Sequence, residues 1–493
     1  MSPPQPKLST WCAKLLPPQA CALDFLLQRL QNGGGAGLYS EQGTGKGYIS
    51  LALLETLAPV LDNILIVCPL TALDDAWADR IGQGLFRTLP YVVVRTWEDF
   101  KRAHKWPLVS RSRPPSLTKA TGSKSSPGKP AATEAKPKII LLAHFQLFSK
   151  IASRMANHPN LWDMVIIDEA QGLKSRGSGW SRAARKFRGS KRRLVLSGTP
   201  IDKSPIDVWA QMRFIDHTVL NEDWTPFAER FCVRGGYGGH KWIFRQHKLP
   251  EFLSLIEPCC YRLSKQFMQL PPLIIHPVPV ELLGEQASIY KAMDEDNIVT
   301  VKGIKFIADL EITKKIRLQQ ITSGFLQNDD AIVTVGHAKE RKLASLLSKL
   351  KPPIVVFCKF LEELETIERA VDKVKNLNAA VLLHGKVKGE MRSDVIRRFK
   401  TGKIDLLACQ MRTGGVGIDL SAASNIVAYS LNYSFIDFEQ FLSRLHRGGQ
   451  SREVHAYVIY ATDTEDERIM DIVNAKQGEA YKVMGHLEQA HGA

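Results

Sequence analysis

Three short stretches of the 493-residue sequence hold residue types and spacings suited to chemistry on phosphates. In LYSEQGTGKGYISLALLETL, residues 38–57, a short apolar strand runs into Gln42, Gly43, Thr44 and Gly45, and Lys46 opens a helix. Backbone N–H groups of such a loop can wrap phosphate oxygens because glycine allows close approach and unusual dihedrals; the helix start and Lys46 add positive charge. The next position, where a Ser or Thr hydroxyl normally helps to hold Mg2+, is Gly47. In VIIDEAQGLKS, residues 165–175, an apolar strand delivers Asp168 and Glu169 at its C-terminal end, the edge at which open α/β sheets bind ligands. Asp168 is suited to hold Mg2+ directly or through water, and Glu169 to orient and deprotonate an attacking water. In QFLSRLHRGGQ, residues 440–450, Arg444 and Arg447 stand three apart, a spacing that predicts both on one helix face.

Positioning these groups requires strands and helices in alternation. Near-continuous apolar runs recur at 64–70, 91–97, 139–145, 164–170 and 193–199, and again at 354–359, 380–385, 404–410, 425–431 and 454–461. Runs of this length suit strands buried on both faces of a parallel sheet. Helical patterns between them, such as GYISLALLETLAPVL, predict βαβ units, and two such sets predict two α/β domains. Residues 107–138 interrupt the first set with Pro, Ser, Lys and Gly and no aromatic residue; they read as a flexible basic insertion, either a loose DNA contact or a tolerated surface loop. Residues 204–330 are less regular and are expected to be more helical.

The bulk composition bounds the function. A 44% hydrophobic and 24% charged chain is a soluble globular one, and no apolar run approaches the ~18 residues of a membrane span. The start, MSPPQPKLSTW, has no apolar signal core, and the eight cysteines form no C-x-x-C pair; both fit a reducing cytoplasm, without zinc site or disulfide framework. A formal net charge of +16 attracts polyanions, nucleic acid first.

Taken in chain order, the motifs resemble the SNF2-like branch of superfamily 2 helicases and translocases. LLPPQACALDFL, with Gln19, is similar to the family's adenine-recognition motif; EQGTGKG is similar to motif I, and IVCPLTALDDAW to motif Ia. DEAQGLKS, with Lys174, resembles motif II, and LVLSGTPI motif III. YRLSKQFMQLPPLIIHPVPVELLGEQASIY resembles the passage joining the lobes, and VVFCKF motif IV. QMRTGGVGIDLSAASNIVAYSLNYS is similar to motif V, and QFLSRLHRGGQSREVHAYVIY to motif VI almost letter for letter, with Gln440, Arg444, Arg447 and Gln450 at the family's spacing.

The resemblance implies two RecA-like parallel-sheet lobes in tandem with helical additions: lobe 1 at 1–262, an interlobe connection at 263–340, and lobe 2 with a C-terminal helix at 341–493. It implies ATP and Mg2+ as cofactors. Gln19, Gln42, Gly43, Thr44, Gly45, Lys46, Gly47, Gly417 and Asp419 would bind nucleotide, with Asp168 at the metal. Lys46, Asp168, Glu169, Gln440, Arg444 and Arg447 would be the catalytic set, the two arginines reaching the γ-phosphate as the lobes close. DNA contacts are expected from Pro69, Leu70 and Thr71, from Ser197, Gly198 and Thr199, and from Arg412, Thr413 and Gly414. The implied activity is an ATP-driven monomeric motor on double-stranded or forked DNA, in repair, recombination or replication, like the stand-alone bacterial and bacteriophage members. The alternatives are a nucleosome-remodelling or restriction-type translocase, or a non-hydrolysing DNA clamp.

Gly47 is the departure from that pattern. Either a water fills the vacant Mg2+ position, or the protein binds ATP without turning it over; Gly47→Thr is expected to lower the Mg2+ requirement if the hydroxyl is all that is missing. Other conspicuous residue types have plain readings: Trp77 as core, His384 as a strand-end residue, and the seven basic residues of 182–193 as a solvated helix face or a DNA-tracking one.

Overall fold

The β-branched, apolar runs form two parallel sheets. In this computed structural model the described residues are 11–78, 80–81, 91–104, 139–155, 161–174, 176–201, 204–383, 387, 389–410 and 419–490. The expected insertion at 107–138, His384, and the motif V residues Arg412, Thr413, Gly414 and Gly417 lie outside them.

The first sheet contains β1 (Gly34–Ser40), β2 (Asn63–Cys68), β3 (Tyr91–Val94), β4 (Ile139–His144), β5 (Met164–Ile167) and β6 (Arg192–Ser197). A short antiparallel hairpin, β7 (Cys232–Gly235) with β8 (Lys241–Phe244), precedes the last member, β9 (Cys260–Leu263). The strand order is β3-β4-β2-β5-β6-β1-β9, with every ladder parallel. The central strands β2 and β5 are buried along their whole length, as their unbroken apolar runs require. An aromatic-rich core including Phe148, Trp162, Phe187, Trp209, Phe231 and Phe252 packs within this unit.

The second unit begins with β10 (Leu273–Val280) and two antiparallel hairpins, β11 (Ile298–Val301) with β12 (Ile304–Ile307) and β13 (Phe325–Gln327) with β14 (Ile332–Thr334). Its parallel sheet is completed by β15 (Ile354–Cys358), β16 (Ala380–Leu383), β17 (Leu406–Gln410), β18 (Asn425–Ala428) and β19 (Val454–Ala461), in the order β10-β19-β18-β15-β17-β16. Two separate clusters, around Phe357 and Phe441 and around Leu343 and Tyr429, draw on alternate residues of these strands. The chain thus divides into one compact unit of residues 11–41, 45–263 and 483–490 and another of residues 42–44 and 264–482.

Two features differ from the sequence reading. The stretch 204–330 contains two hairpins and the first strand of a third as well as helices. LIIHPVPV becomes a strand despite Pro277 and Pro279, because β10 is the edge of its sheet and pairs only with β19, so a missing N–H on the outer side breaks no ladder. No helix among the described residues is long and apolar enough to cross a membrane.

Candidate functional site

In the first unit the strand order brings the C-terminal ends of β1, β6 and β5 together as neighbours. The loop after β1 has Gly43 at φ 89° and Gly45 at φ 94°, left-handed values that favour glycine. Gly45 is the N-cap of the helix Lys46–Leu57. A Cβ there would also lie 2.5 Å from the amide Nε2 of buried Gln19, whose Oε1 accepts the Leu16 N–H at 2.9 Å. Gln19 therefore packs against the loop backbone. The ammonium of Lys46 donates to the carbonyls of Ser40 at 2.7 Å and Glu41 at 3.3 Å, folded back over the end of its own strand.

Asp168 and Glu169 follow β5. Glu169 sits at φ 53°, ψ 49°, a conformation costly for a side chain bearing a Cβ and characteristic of functional turns. Its N–H donates to Asp168 Oδ1 at 2.9 Å, while the indole N–H of Trp77 donates to Asp168 Oδ2 at 3.0 Å. Burial and then the Glu169 carboxylate push Asp168 up to about 6, against the pull of the Trp77 hydrogen bond and the Lys46 charge. Glu169 is held in turn: Gln171 Nε2 donates to its carboxylate at 2.8 Å, and Ser197 Oγ donates to Gln171 Oε1 at 2.9 Å. This chain ties the strand end of β5 to that of β6.

The donor set suits Mg2+. No group of three or more His, Cys, Asp or Glu side chains able to hold a metal occurs among the described residues. Asp168 is a hard oxygen donor beside a phosphate-type loop, and Mg2+ is commonly held by one or two carboxylates together with substrate phosphates and water.

Two residues to which the sequence reading gave no role in the site belong to it. Trp77, expected as plain core, is buried and anchors Asp168. Arg262 on β9, with a side chain only 3% exposed, pairs with Glu41 at 2.7 Å and donates to the Tyr39 and Gly198 carbonyls at 3.2 and 3.4 Å. It fastens the phosphate loop's entry to the end of β6. Their signal in the sequence was their presence inside conspicuous motif strings. Ser197, expected among the DNA contacts, is fully buried at the end of β6, a strand covered on both faces, and its hydroxyl donates to Gln171. Gly198 and Thr199 are buried beside it. Pro69 and Leu70 open a short 3-10 turn, Leu70–Ala72, with Leu70 exposed and Thr71 next in the turn.

In the second unit, Ser434 caps the helix Phe435–Leu445 by accepting the Asp437 N–H. Gln440 lies in mid-helix and Arg444 in the last turn, its carbonyl accepting the Leu420 N–H at 3.1 Å. The helix ends at Leu445, so Arg447 does not share a helix face with Arg444: His446 leaves helical conformation at ψ 79°, and Arg447 enters a turn toward Gly449 at φ 95°. Gln450 is buried and clamps that turn, donating to the Ser421 and Ala423 carbonyls at 3.1 and 3.0 Å. Asp419 is held by Lys400 at 2.8 Å and Ser421 at 2.7 Å. Burial opposes its ionisation, yet these partners and the Arg447 charge outweigh it and hold Asp419 down to about 2. The basic stretch 182–193 presents Arg182 and Arg185, with Arg176 and Arg213, around a small pocket of about 20 Å³, while Ala183, Ala184 and Phe187 are buried.

A glycine–lysine loop after one strand, an Asp–Glu pair after another and a second parallel-sheet lobe carrying paired arginines define the RecA-like, two-lobed helicase class. Sequence comparison narrows this. The SNF2-related domain matches residues 19–324 and the helicase conserved C-terminal domain residues 338–449, so the chain belongs to the SNF2-related family. It is 26% identical over 322 residues to the uncharacterized ATP-dependent helicase MG018 of Mycoplasma genitalium, covering 64% of this chain and 30% of that protein. It is 25% identical to protein p41 of Acyrthosiphon pisum secondary endosymbiont phage 1, covering 64% of this chain and 70% of that one. Among solved structures, the Sulfolobus solfataricus SWI2/SNF2 ATPase core in complex with dsDNA aligns over 97% of this chain and 96% of its own, at 20% identity and a TM-score of 0.44. The chain spans about a third of the length of several curated relatives it matches.

Proposed function

We propose that this protein is an ATP hydrolase that couples turnover to movement along duplex or branched DNA. The observation that carries the reading is the Asp168–Glu169 pair with its supports: Trp77 fixes one carboxylate, and the Gln171–Ser197 chain orients the other. In this reading Lys46 and the loop amides bind the β- and γ-phosphates. Asp168 would hold Mg2+, which when bound neutralises phosphate charge. Glu169 accepts the proton of the attacking water and keeps that water in line. Arg444 and Arg447 supply positive charge as the phosphoryl group transfers, with Gln440 beside them. The motif Ia turn at 69–71 and the motif V segment contact the DNA backbone, which suits a motor indifferent to base sequence.

A non-hydrolysing clamp is the second reading, favoured by Gly47. ATP turnover separates the two, measured across Mg2+ concentrations without nucleic acid and with single-stranded, duplex or forked DNA. The motor reading expects turnover stimulated by duplex or fork and abolished in Glu169→Gln, with ATP binding retained. Turnover no higher than that of Glu169→Gln at millimolar Mg2+ and saturating DNA would leave the clamp.

A further inference from the structure

Gly47 is not demanded by its backbone. Unlike Gly43 and Gly45, its φ lies outside the left-handed region, and it occupies the second position of the helix Lys46–Leu57, where any residue fits. What a side chain would meet is a neighbour: a Cβ at Gly47 would stand 2.7 Å from Nη1 of Arg80 and 3.9 Å from its Cζ. The first distance is shorter than real Cβ contacts allow, so the volume of the missing side chain is filled by a guanidinium. Arg80 is held in that place. Its Cζ lies 4.8 Å from the centre of the Tyr48 ring, a cation–π contact next to Gly47 in sequence. It also stands three residues after Trp77, whose indole binds Asp168. A single segment thus sends one side chain to the Asp–Glu pair and another to the phosphate loop.

We infer that Arg80 is a nucleotide-binding residue: its guanidinium supplies, at the first turn of the Lys46 helix, phosphate-directed positive charge in place of the absent hydroxyl. The inference rests on the nucleotide site proposed above. A guanidinium is always charged and presents a planar fork of donors matched to phosphate oxygens. It makes no demand for a metal. Nucleotide binding therefore keeps a component that does not require Mg2+ and that belongs to Arg80. It follows that Gly47→Thr alone is an incomplete restoration, because the new side chain must push the end of Arg80 aside; the hydroxyl has its full effect when Arg80 is shortened as well.

The test is nucleotide affinity, measured by calorimetry with ADP and with a non-hydrolysable ATP analogue, in EDTA and in Mg2+. The proteins are the wild type, Arg80→Gln, Arg80→Lys, Gly47→Thr and the Gly47→Thr/Arg80→Gln double variant. Arg80→Gln keeps a stem to pack on Tyr48 and removes the charge; circular dichroism checks its fold. Expected are a loss of about tenfold to a hundredfold in EDTA for Arg80→Gln, the size of a charge-assisted hydrogen bond. Arg80→Lys should recover part of it, and the double variant should gain more from Mg2+ than the wild type or either single variant. Unchanged affinity of folded Arg80→Gln in EDTA, or a Mg2+ gain in Gly47→Thr equal to that of the double variant, would overturn the role of Arg80 and leave the site standing. Absence of nucleotide binding by the wild type would overturn both.

Discussion

At the scale of single residues, the site is held by buried polar groups with assigned partners, and their removal should be felt far beyond one hydrogen bond. Arg262 is the clearest case. Its guanidinium pairs with Glu41 and donates to two carbonyls at the ends of β1 and β6. Replacing it by Leu breaks a largely buried ion pair, a loss of about 3–5 kcal/mol. Urea unfolding of Arg262→Leu should show that loss, and the double variant Arg262→Leu/Glu41→Leu should recover much of it. Equal destabilisation in the double variant would mean that packing, not charge, is what Arg262 contributes. The Gly47–Arg80 pair belongs to this scale as well. A departure in one residue of a motif is intelligible only beside the residue that fills its space, 33 positions away.

At the scale of elements, strands closed by neighbours on both sides bury whatever side chains they carry. Cys68, Cys358 and Cys409 lie on such central strands, Cys260 on the β9 edge, Cys232 on a hairpin strand, and Cys259 just before β9; all six are buried, while Cys21 is exposed and Cys12 half-buried. Burial pushes Cys232 up to about 11 and Cys409 up to about 12, and also raises Cys358 and Cys260 well above the usual thiol range. The neutral thiol is therefore favoured in the fold. Its contribution to stability is complete below about pH 8.5 and declines as pH rises toward 11 and 12, because the unfolded chain ionises first. At pH 8 a thiolate-specific disulfide reagent should modify two cysteines per folded chain, Cys12 and Cys21, and all eight after denaturation. Rapid reaction of a third cysteine in the folded protein would contradict the closure of these sheets. The same logic explains which elements the sequence announced. β2, β4 and β5 are near-continuous apolar runs with one reading, whereas the hairpins between 232 and 334 are short, partly exposed and of mixed composition, so nothing local separates them from helix or loop. The end of the motif VI helix was illegible for a related reason: the spacing of Arg444 and Arg447 fits a helix, but the turn that takes Arg447 out of it is made by Gln450 reaching back to Ser421 and Ala423.

At the scale of the whole molecule, 66 Lys and Arg against 50 Asp and Glu make the chain a polycation. If the DNA reading holds, binding should be dominated by phosphate contacts and counterion release. A plot of log affinity for duplex DNA against log salt should be a falling line whose slope reports those contacts; a protein making about six loses on the order of a thousandfold between 50 and 200 mM. Affinity that is flat across that range would argue against the DNA backbone as the partner, whatever the ATP turnover.

The sequence by itself determined the two α/β lobes and the placing of Lys46 at a helix start and of Asp168 and Glu169 after a strand, because apolar runs and loop glycines encode local geometry directly; the family followed from the resemblance of its motif strings. Only the tertiary structure decided what supports those residues. Trp77 reaches Asp168 across 91 positions, Ser197 reaches Gln171 across 26, and Arg262 reaches Glu41 across 221. A side chain's partner depends on which strands lie side by side, and in a parallel sheet neighbouring strands are separated by whole crossovers, so such pairings leave no periodic trace in the chain.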